Sequence, residues 1–390
     1  MKKFFAGVAA AVIAVAACSP LCACTDSNES YYKVFYAMDT AAQLVAAKVD
    51  KSDFDKVADK VERLLSSAEQ SLSTARSNSY ISIFNRASAG ERVELDEVSF
   101  EVLSLAKEVY AETDGFFNPA VYYCEDLYGF AARGAGAGAM PYDRAGEKPT
   151  LPDDKYVTAF KELSTHFSEV EIFELGGVYY ATKPDFTAKI EGDEREYSLA
   201  LDLGGIAKGW CVDKVNGMLE EAGIEYGYFS FGVSSMGVGK SLRADGKYDV
   251  LAGDPRSKGG YLSFAFKDDN LSTSGDHFKF YEIDGVRYCH VIDPRTGSPV
   301  RTGVASVTLV GGSAGRADAL TTALAAMGKT KAAEFINTHL SDCKVAMLIF
   351  EDGAGKILTN APDYFTVENK NYVLANTVVD GKIVLNSDVA

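Results

Sequence analysis

The chain has 390 residues, enough for one large domain or two smaller ones. Hydrophobic residues make up 47% of it and charged residues 24%, which is typical of a globular protein with a buried core. The formal net charge of −16 argues against a basic surface for nucleic acid or for an anionic membrane. An anionic small molecule would need a local lysine, a metal ion or a helix N-terminus to hold it.

The N-terminus has the pattern of an export signal. Lys2 and Lys3 precede an apolar stretch, Phe4–Ala17, that is too short to cross a bilayer. Cys18 follows directly, in the arrangement of a bacterial lipobox, and Cys24 is a second candidate for lipidation. We expect the mature protein to be exported and anchored through this lipid, on the outer face of the cell membrane or in the periplasm. Plain secretion with cleavage nearby is the alternative.

Three segments follow from this pattern. Residues 1–17 are expected to be a lipoprotein-type signal peptide, 18–31 a flexible tether, and 32–390 the folded protein. After the leader only Cys124, Cys211, Cys289 and Cys343 remain, without CxxC or metal-type spacing. We expect them to be buried thiols or to form at most one disulfide.

The first half of the folded protein alternates strands and helices. Apolar residues over Tyr32–Ala47 predict a strand that contains the block AMDT (Ala37–Thr40). Apolar side chains recur at helical spacing over Ser52–Ser71 and again over Ser99–Thr113. Asp114 and Gly115 are expected to end the second of these helices.

The middle of the chain contains a composition break. Residues Arg133–Asp154 are rich in Gly, Ala, Pro and charge, which predicts a mobile surface insertion. Phe160–Thr182 predicts a helix followed by a hairpin that turns at Gly176 and Gly177. Tyr197–Leu203 predicts a strand.

The last third carries two predicted helices. One covers about Trp210–Glu221 and ends at Gly223; the other, rich in alanine, covers about Ala314–Met327 and follows a strand-like run, Ala305–Gly312. Sheet and helix are mixed without regular βαβ alternation. This indicates an α+β fold rather than a doubly wound sheet.

Asp318 and Thr322 form a candidate metal site. They lie four residues apart near the start of the alanine-rich helix, so they share one of its faces. A carboxylate and a hydroxyl are oxygen ligands of the kind that Mg²⁺ prefers. The two residues alone leave simpler roles open, because an early helical aspartate favours the helix dipole and a helical threonine often bonds its own backbone.

The segment DLGGIAKGW (Asp202–Trp210) combines a strand end, a glycine turn and a helix start. Gly204, Gly205 and Gly209 let a ligand approach the backbone closely, and Lys208 at a helix N-terminus is suited to a phosphate. The spacing matches neither a Walker A motif nor GxGxxG. A tight structural turn explains the segment equally well.

Two further segments carry groups used in catalysis or ring stacking. His290 is one of four histidines and precedes the turn sequence DPRTG. Histidine acts as a general base near neutral pH, although beside an apolar strand it is more often structural. Phe116 and Phe117 of TDGFFNPA (Thr113–Ala120) are candidates for stacking on a flavin or adenine ring, or for the core.

In their order and spacing these motifs resemble the FAD:protein FMN transferases of the ApbE family. The resemblance covers about Tyr36–Lys344, most of the chain after the leader, and many members of that family are bacterial lipoproteins. It rests on seven blocks: AMDT, STARSNSYISIFN (Ser73–Asn85), TDGFFNPA, DLGGIAKGW, STSGD (Ser272–Asp276), HVIDPRTGSPV (His290–Val300) and ADALTTALAAMG (Ala317–Gly328).

The resemblance implies both a fold and a reaction. The fold is α+β, with mixed, mostly antiparallel sheets flanked by helices, as a two-lobed single catalytic unit over residues 32–390. FAD, the substrate, is split at its pyrophosphate, the FMN phosphoryl group passes to a threonine or serine hydroxyl of a target flavoprotein, and AMP leaves. The target is expected to be an exported or membrane electron-transfer flavoprotein. Nucleic acid is not an expected partner.

The resemblance also implies a set of site residues. Mg²⁺ is expected to be held by Asp318, Thr322 and the backbone carbonyl of Gly205. His290 and Asp276 are the candidate bases for the acceptor hydroxyl, with His290 preferred. The positions that match FAD contacts are Met38, Ala75, Phe116, Phe117, Asn118, Asp202, Lys208 and Ile292.

Three features depart from the pattern of the family. Asn118 stands where the family commonly has aspartate, and Val233 replaces the usual second glycine after Phe231-Gly232. The insertion at Arg133–Asp154 would reshape access for the target protein. These differences bear on affinity and on the choice of partner rather than on the class of reaction.

Two other functions remain open from the sequence. One is a hydrolase of the same fold that converts FAD to FMN and AMP. The other is an exported flavin-binding lipoprotein without turnover, against which the intact set Gly205, Asp318 and Thr322 argues, since flavin binding alone needs no divalent ion.

Overall fold

The structure is a computed structural model that describes residues 30–131, 150–277 and 279–386. The predicted signal peptide, nearly all of the tether and most of the predicted insertion lie outside these residues. The helices are α1 (Lys51–Leu72), α2 (Tyr80–Arg86), α3 (Glu97–Glu112), α4 (Tyr122–Leu127), α5 (Asp154–Thr165), α6 (Ala207–Glu221) and α7 (Ala314–His339), with short 3₁₀ helices at Pro119–Val121 and His166–Glu169.

The strands are short and follow one another through turns. They are β1 (Ser30–Ala37), β2 (Thr40–Ala47), β3 (Arg92–Leu95), β4 (Glu171–Leu175), β5 (Val178–Thr182), β6 (Thr187–Lys189), β7 (Glu196–Ser198), β8 (Tyr226–Phe231), β9 (Ser235–Val238), β10 (Tyr248–Gly253), β11 (Gly260–Phe266), β12 (Asp269–Gly275), β13 (Phe280–Ile283), β14 (Val286–Cys289), β15 (Ile292–Asp293), β16 (Ser298–Pro299), β17 (Val304–Val310), β18 (Lys344–Glu351), β19 (Ala354–Thr359), β20 (Thr366–Val367), β21 (Val373–Leu374), β22 (Asn376–Val379) and β23 (Lys382–Leu385).

Nine of these strands form one large sheet, in the order β1-β2-β8-β9-β12-β17-β18-β19-β21. Each neighbouring pair in it is antiparallel except β19 with β21. Helices α1, α6 and α7 belong to the main core cluster on one face, and the hairpin β10–β11 packs in a second cluster on the other. The expected α+β fold with mostly antiparallel sheets is confirmed.

Strand β17 lies inside the large sheet and is covered on both of its faces. All seven of its residues are buried. Val307 and Leu309 contribute to the core cluster under the helices, whereas Ala305 and Val310 contribute to the cluster on the opposite face. A strand covered on both faces has no solvent side, so its two polar residues, Ser306 and Thr308, are buried as well.

The prediction of one strand over Tyr32–Ala47 is wrong, because the segment is the hairpin β1–β2. Met38 and Asp39 form its turn and both have positive φ, 49° and 59°. A two-residue turn of this kind matches the twist of the flanking strands. Apolar residues on either side concealed the turn, since Asp39 is the only one of the usual turn residues in it.

The prediction of a strand over Tyr197–Leu203 holds only for its first residues, since β7 ends at Ser198. Beyond it, the side chain of Asn85 bonds Leu201 in both directions, with Nδ2 donating to the Leu201 carbonyl at 2.8 Å and Oδ1 accepting from its N–H at 2.7 Å. One amide side chain thus replaces a neighbouring strand. Burial of the run explains its apolar sequence without a sheet.

The helices predicted over Ser52–Ser71 and Ser99–Thr113 are confirmed as α1 and α3, and the hairpin at Gly176 and Gly177 as β4–β5. Helix α6 begins at Ala207, earlier than expected. Helix α7 continues past Met327, but its backbone breaks at Gly328, where φ is 69° and ψ is −178°.

The four described cysteines, Cys124, Cys211, Cys289 and Cys343, are buried free thiols, as expected. Across the part of the chain that the structure describes, no helix has the length and apolarity needed to span a bilayer.

Candidate active site

The site is built where helices α6 and α7 cross at very short range. A Cβ at Gly209 would lie 2.1 Å from the carbonyl oxygen of Ala314 and 2.8 Å from Cβ of Asp318, so only glycine permits this approach. Asp213, also on α6, accepts hydrogen bonds from the backbone N–H groups of Ala314 and Gly315 at 2.7 and 2.8 Å. These bonds cap the N-terminus of α7 and fix it against α6.

Asp318 lies at the centre of this contact and is 3% exposed. Its Oδ2 accepts a hydrogen bond from the N–H of Gly209 at 3.1 Å, and its Oδ1 accepts one from the hydroxyl of Ser272 at 3.3 Å. Burial raises the pKa of this carboxyl above its ordinary value, while the charge of Lys208 and the hydrogen bonds oppose the rise. A bound cation would favour the ionised form further.

The carbonyl of Gly205 is open. In a regular helix the N–H of Gly209 would bond the carbonyl one turn earlier, but here it bonds Asp318 instead. Among the described residues, none donates a hydrogen bond to this carbonyl. A Cβ built on Gly205 would lie 3.7 Å from Oγ1 of Thr322. The structure therefore places the backbone of Gly205 near the hydroxyl of Thr322, which lies one helical turn after Asp318.

A cluster of metal-ligating side chains of the usual kind is not present here. No group of three or more His, Cys, Asp and Glu residues could hold a metal ion within the described ranges. The donors at α6 and α7 are one carboxylate, one hydroxyl and one carbonyl. This set suits a hard cation that keeps water and substrate oxygens as its other ligands, which is the habit of Mg²⁺.

The glycine turn before α6 is held by Asp202. Its Oδ1 accepts from the N–H of Gly204 at 2.6 Å, and its Oδ2 accepts from the hydroxyl of Thr74 at 3.4 Å, next to Ala75. Lys208, in the first turn of α6, donates from Nζ to the carbonyl of Gly204 at 2.8 Å. Four predicted site residues, Ala75, Asp202, Gly205 and Lys208, thus lie around one turn.

The residues of the TDGFFNPA block differ in their positions relative to the site. Phe117 reaches the site, since its Cε2 lies 3.4 Å from a Cβ built on Gly205. Phe116 is buried, and the guanidinium carbon of Arg295 lies 3.2 Å from the centre of its ring. Asn118 is used by the fold: its Nδ2 donates to the carbonyl of Ser164 at 2.9 Å, and its Oδ1 accepts from the N–H of Ala120.

Met38 and Ile292 lie in different surroundings. Met38 is in the β1–β2 turn, close to the β8–β9 turn, where the N–H of Gly232 donates to the carbonyl of Ala41 at 2.8 Å. The β8–β9 turn also holds Val233, which departs from the pattern of the family. Ile292 is 4% exposed and belongs to a third core cluster with aromatic rings from α4 and β13–β14.

Among the described residues, the buried Nδ1 atom of His290 has no hydrogen-bond partner. The backbone N–H of His290 donates to the backbone carbonyl of Lys279 at 3.0 Å. Burial and the charges of Lys279 and Lys208 lower the pKa of His290 to about 4. Its imidazole is therefore neutral at neutral pH. Lys208, in the first turn of α6, is near enough for its charge to act on this imidazole.

Asp276, the other candidate base, is engaged in ion pairs. Its Oδ1 accepts from Nη1 of Arg256 at 2.7 Å, its Oδ2 accepts from Nη2 of the same residue, and Nη1 of Arg287 lies 3.7 Å from Oδ1. Both oxygens of this carboxylate are therefore occupied by guanidinium groups. The sequence could not predict these ion pairs, because Arg256 and Arg287 lie outside the STSGD block, one before it and one after it.

Sequence reasoning missed several groups at the site. Glu125 is one: burial and the charge of Asp202 raise its pKa well above the ordinary value, and Lys279 opposes the rise. Ser272 is another, although it lies within the quoted STSGD block. Period-two alternation along β12 was a usable signal, because it places Ser272 and Ser274 on the same side of the strand.

Comparisons with known proteins identify the family of this chain. The family model described as "ApbE family" matches residues 38–347. The chain is 30% identical over 276 residues to the FAD:protein FMN transferase of Vibrio cholerae, across 70% of this chain and 73% of that protein. It is 26% identical over 342 residues to the protein of the same name from Klebsiella pneumoniae, across 86% of this chain and 89% of that protein.

Solved structures show the same fold. The flavin transferase ApbE from Vibrio cholerae superposes with a TM-score of 0.67 at 24% identity, across 85% of this chain and 97% of that one. The ApbE protein from Thermotoga maritima gives a TM-score of 0.67 at 22% identity, across 84% of this chain and 96% of that one.

Proposed function

The chain belongs to the ApbE family, and on that premise we propose that it is an Mg²⁺-dependent FAD:protein FMN transferase. Its substrate would be FAD, and its products AMP and a target flavoprotein that carries FMN on a threonine or serine side chain. The names of its relatives from two bacteria support the reaction. The site at α6 and α7 supports the dependence on a metal ion.

One observation carries the proposal: the N–H of Gly209 bonds Asp318 and leaves the carbonyl of Gly205 open. Thr322 lies one turn after Asp318, and its Oγ1 is 3.7 Å from a Cβ built on Gly205. A protein that only bound a flavin ring would gain nothing from a buried carboxylate beside an open carbonyl, because both repel an anionic pyrophosphate.

The residues present fit Mg²⁺. Asp318, Thr322 and the carbonyl of Gly205 would hold it. Once bound, the ion would neutralise pyrophosphate charge and polarise the phosphorus that is attacked. Lys208 would add a second positive charge, since it lies in the first turn of α6, where free backbone N–H groups also attract anions.

The transfer itself needs position more than a strong base. The acceptor hydroxyl oxygen would form a bond to the FMN phosphorus, and the bond from that phosphorus to the oxygen of the AMP phosphate would break. We assign the hydroxyl proton to His290, whose imidazole is neutral at neutral pH and whose Nδ1 has no hydrogen-bond partner in the part of the chain that the structure describes. The ion pairs of Asp276 argue against it as the acceptor of this proton.

The target and the location complete the proposal. The acceptor would be an exported or membrane electron-transfer flavoprotein, met outside the cytoplasm. The chain itself would be exported and held at the membrane through lipid on Cys18 or Cys24, which lie outside the described residues. The pattern of the leader, a short apolar stretch followed by cysteine, supports this.

Chromatography of the small-molecule products tests the proposed reaction. Purified protein with FAD and Mg²⁺ should release AMP in an amount equal to the acceptor domain supplied, with little free FMN. AMP and free FMN in equal amounts without an acceptor would identify a hydrolase instead. FAD that stays intact both with and without the acceptor domain would leave flavin binding as the function.

A further inference from the structure

Strand β12 presents serine hydroxyls to the metal-binding face of α7. Ser272 and Ser274 are two residues apart and point to the same side of the strand, while Thr273 points to the other. The hydroxyl of Ser272 reaches Asp318, and that of Ser274 lies 3.4 Å from Oγ1 of Thr322. Two residues of a strand and four of a helix both advance roughly 6–7 Å, so each candidate ligand meets one serine.

The hydroxyl next to Asp318 is part of a buried pair. Ser272 is 0% exposed and Ser235, on the neighbouring strand β9, is 2% exposed. Their Oγ atoms lie 3.2 Å apart, and Oγ of Ser272 lies 3.3 Å from Oδ1 of Asp318 and 3.1 Å from the carbonyl of Ser234. Buried hydroxyls cost free energy unless they are bonded. Alanine would fill the same places in the core without that requirement.

Both oxygens of Asp318 are therefore in use. Ser272 bonds Oδ1 and the N–H of Gly209 bonds Oδ2. A cation that chelates the carboxylate through both oxygens would compete with both hydrogen bonds, whereas a cation that takes one lone pair would not. Ca²⁺ accepts bidentate carboxylates and six to eight ligands, whereas Mg²⁺ keeps a strict octahedron with few protein oxygens.

We propose that the hydroxyl pair of Ser272 and Ser235 holds Asp318 as a one-oxygen ligand and so favours Mg²⁺ over Ca²⁺ at this site. The inference rests on the proposed function, because it assumes that Asp318 binds the cation. Ser272 and Ser235 are positioning residues in this account. They act on the cation through the hydrogen bond to Asp318 rather than as ligands of the cation.

Calorimetric titration of the FAD-saturated protein, without an acceptor, with MgCl₂ and then with CaCl₂ tests this role. In the double variant Ser235→Ala/Ser272→Ala we expect the Kd for Mg²⁺ to rise by about 10- to 100-fold, the range found for partners of metal ligands. The Kd for Ca²⁺ should change less, so that the preference for Mg²⁺ narrows. The Kd for FAD should stay within about twofold of the unaltered protein.

Thr273→Val is the matched control. Thr273 is the next residue on β12, and its hydroxyl lies 3.1 Å from that of Thr308 on the side away from α7. This variant should leave both cation affinities unchanged.

Three results would overturn the inference. A Kd for Mg²⁺ within about threefold of the unaltered value in the double variant would do so while leaving the metal site itself intact. Equal weakening of Mg²⁺, Ca²⁺ and FAD binding would show general damage to the fold rather than positioning. Absence of Mg²⁺ binding by the unaltered protein would overturn both this inference and the metal site of the proposed function.

Discussion

The N–H of Gly209 donates a hydrogen bond to Oδ2 of Asp318 across 3.1 Å. This one bond joins the two helices, orients the carboxylate and leaves the carbonyl of Gly205 without a helical partner. It exists because Gly209 has no side chain to keep α6 and α7 apart. The candidate metal site is thus a consequence of a close helix crossing.

Replacing Gly209 with alanine should separate the two helices. The new Cβ would meet the carbonyl oxygen of Ala314 at 2.1 Å, so we expect a loss of about 3 kcal/mol in the free energy of unfolding and loss of Mg²⁺ binding. Gly217→Ala in the same helix is the control, because its Cβ would meet nothing within 4 Å. Urea denaturation of both variants measures the difference. Equal stability of the two would contradict the crossing geometry.

Asp318→Asn should abolish turnover while it preserves the pocket. Asparagine has the same shape and can still accept the hydrogen bond from Gly209, but it lacks the charge that a cation needs. We expect the rate of FMN transfer to fall by at least about 100-fold, with FAD binding retained as measured by flavin fluorescence. A variant that transfers FMN at the full rate would show that Asp318 is not a metal ligand.

Burial of His290 and the charge of Lys279 should together place the acid limb of the pH profile. His290 accepts a proton only when neutral, and its pKa of about 4 predicts that kcat/KM stays level down to about pH 5 and falls below it. Lys279→Met removes a charge that opposes protonation of His290. Its pKa should therefore rise, and activity should be lost at a higher pH than in the unaltered protein.

The control for this profile is Lys382→Met, a change in an exposed residue of β23. It should leave the profile where it is. An acid limb near pH 6.5 in the unaltered protein, or one that Lys279→Met does not move, would exclude the neutral His290 as the base.

Lys183 should contribute strongly to stability. It is 1% exposed, and its Nζ donates to the carbonyls of Phe84, Asn85 and Ala87 at 3.1, 3.0 and 2.8 Å. Lys183→Met leaves these carbonyls at the end of α2 without their donor, so we expect a loss of about 2–3 kcal/mol on unfolding in urea.

Lys189→Met is the comparison for Lys183, since the side chain of Lys189 is 77% exposed. It should change stability by less than about 0.5 kcal/mol. Similar losses in both variants would mean that the three carbonyl bonds contribute little.

Cys18→Ala should release the protein from the membrane fraction if Cys18 is the lipidated residue. Cys24→Ala should then have no effect. Fractionation of cells that express each variant, with the protein detected in the membrane and soluble fractions, distinguishes the two cysteines. Retention of both variants at the membrane would contradict a lipid on either one alone.

The sequence predicted the large helices and the fold class because these depend on periodicity and on the order of elements. It predicted the convergence of Asp318 and Thr322 because four residues of a helix return to the same face. It could not predict the β1–β2 turn, since Met38 lacks the usual turn chemistry. It placed the end of the alanine-rich helix at Met327, next to the break at Gly328, but missed the helical turns that follow the break.

The contacts between distant segments were beyond reach for another reason. Asn118 donates a hydrogen bond to the carbonyl of Ser164, and Asp276 pairs with Arg256 and Arg287, partners that only the folded chain brings together. Motif position assigned both residues to the site. In the structure each of them is bonded to residues outside its own motif, and the motif alone could not predict those partners.

The most direct test of the account is the intact mass of an FMN-acceptor domain after incubation with the purified protein, FAD and Mg²⁺. The account predicts a gain equal to one FMN, which disappears when the metal is chelated and when Asp318→Asn replaces the unaltered protein. An acceptor domain of unchanged mass, while FAD is converted to FMN and AMP, would contradict the transferase. A gain that survives chelation would contradict the metal site.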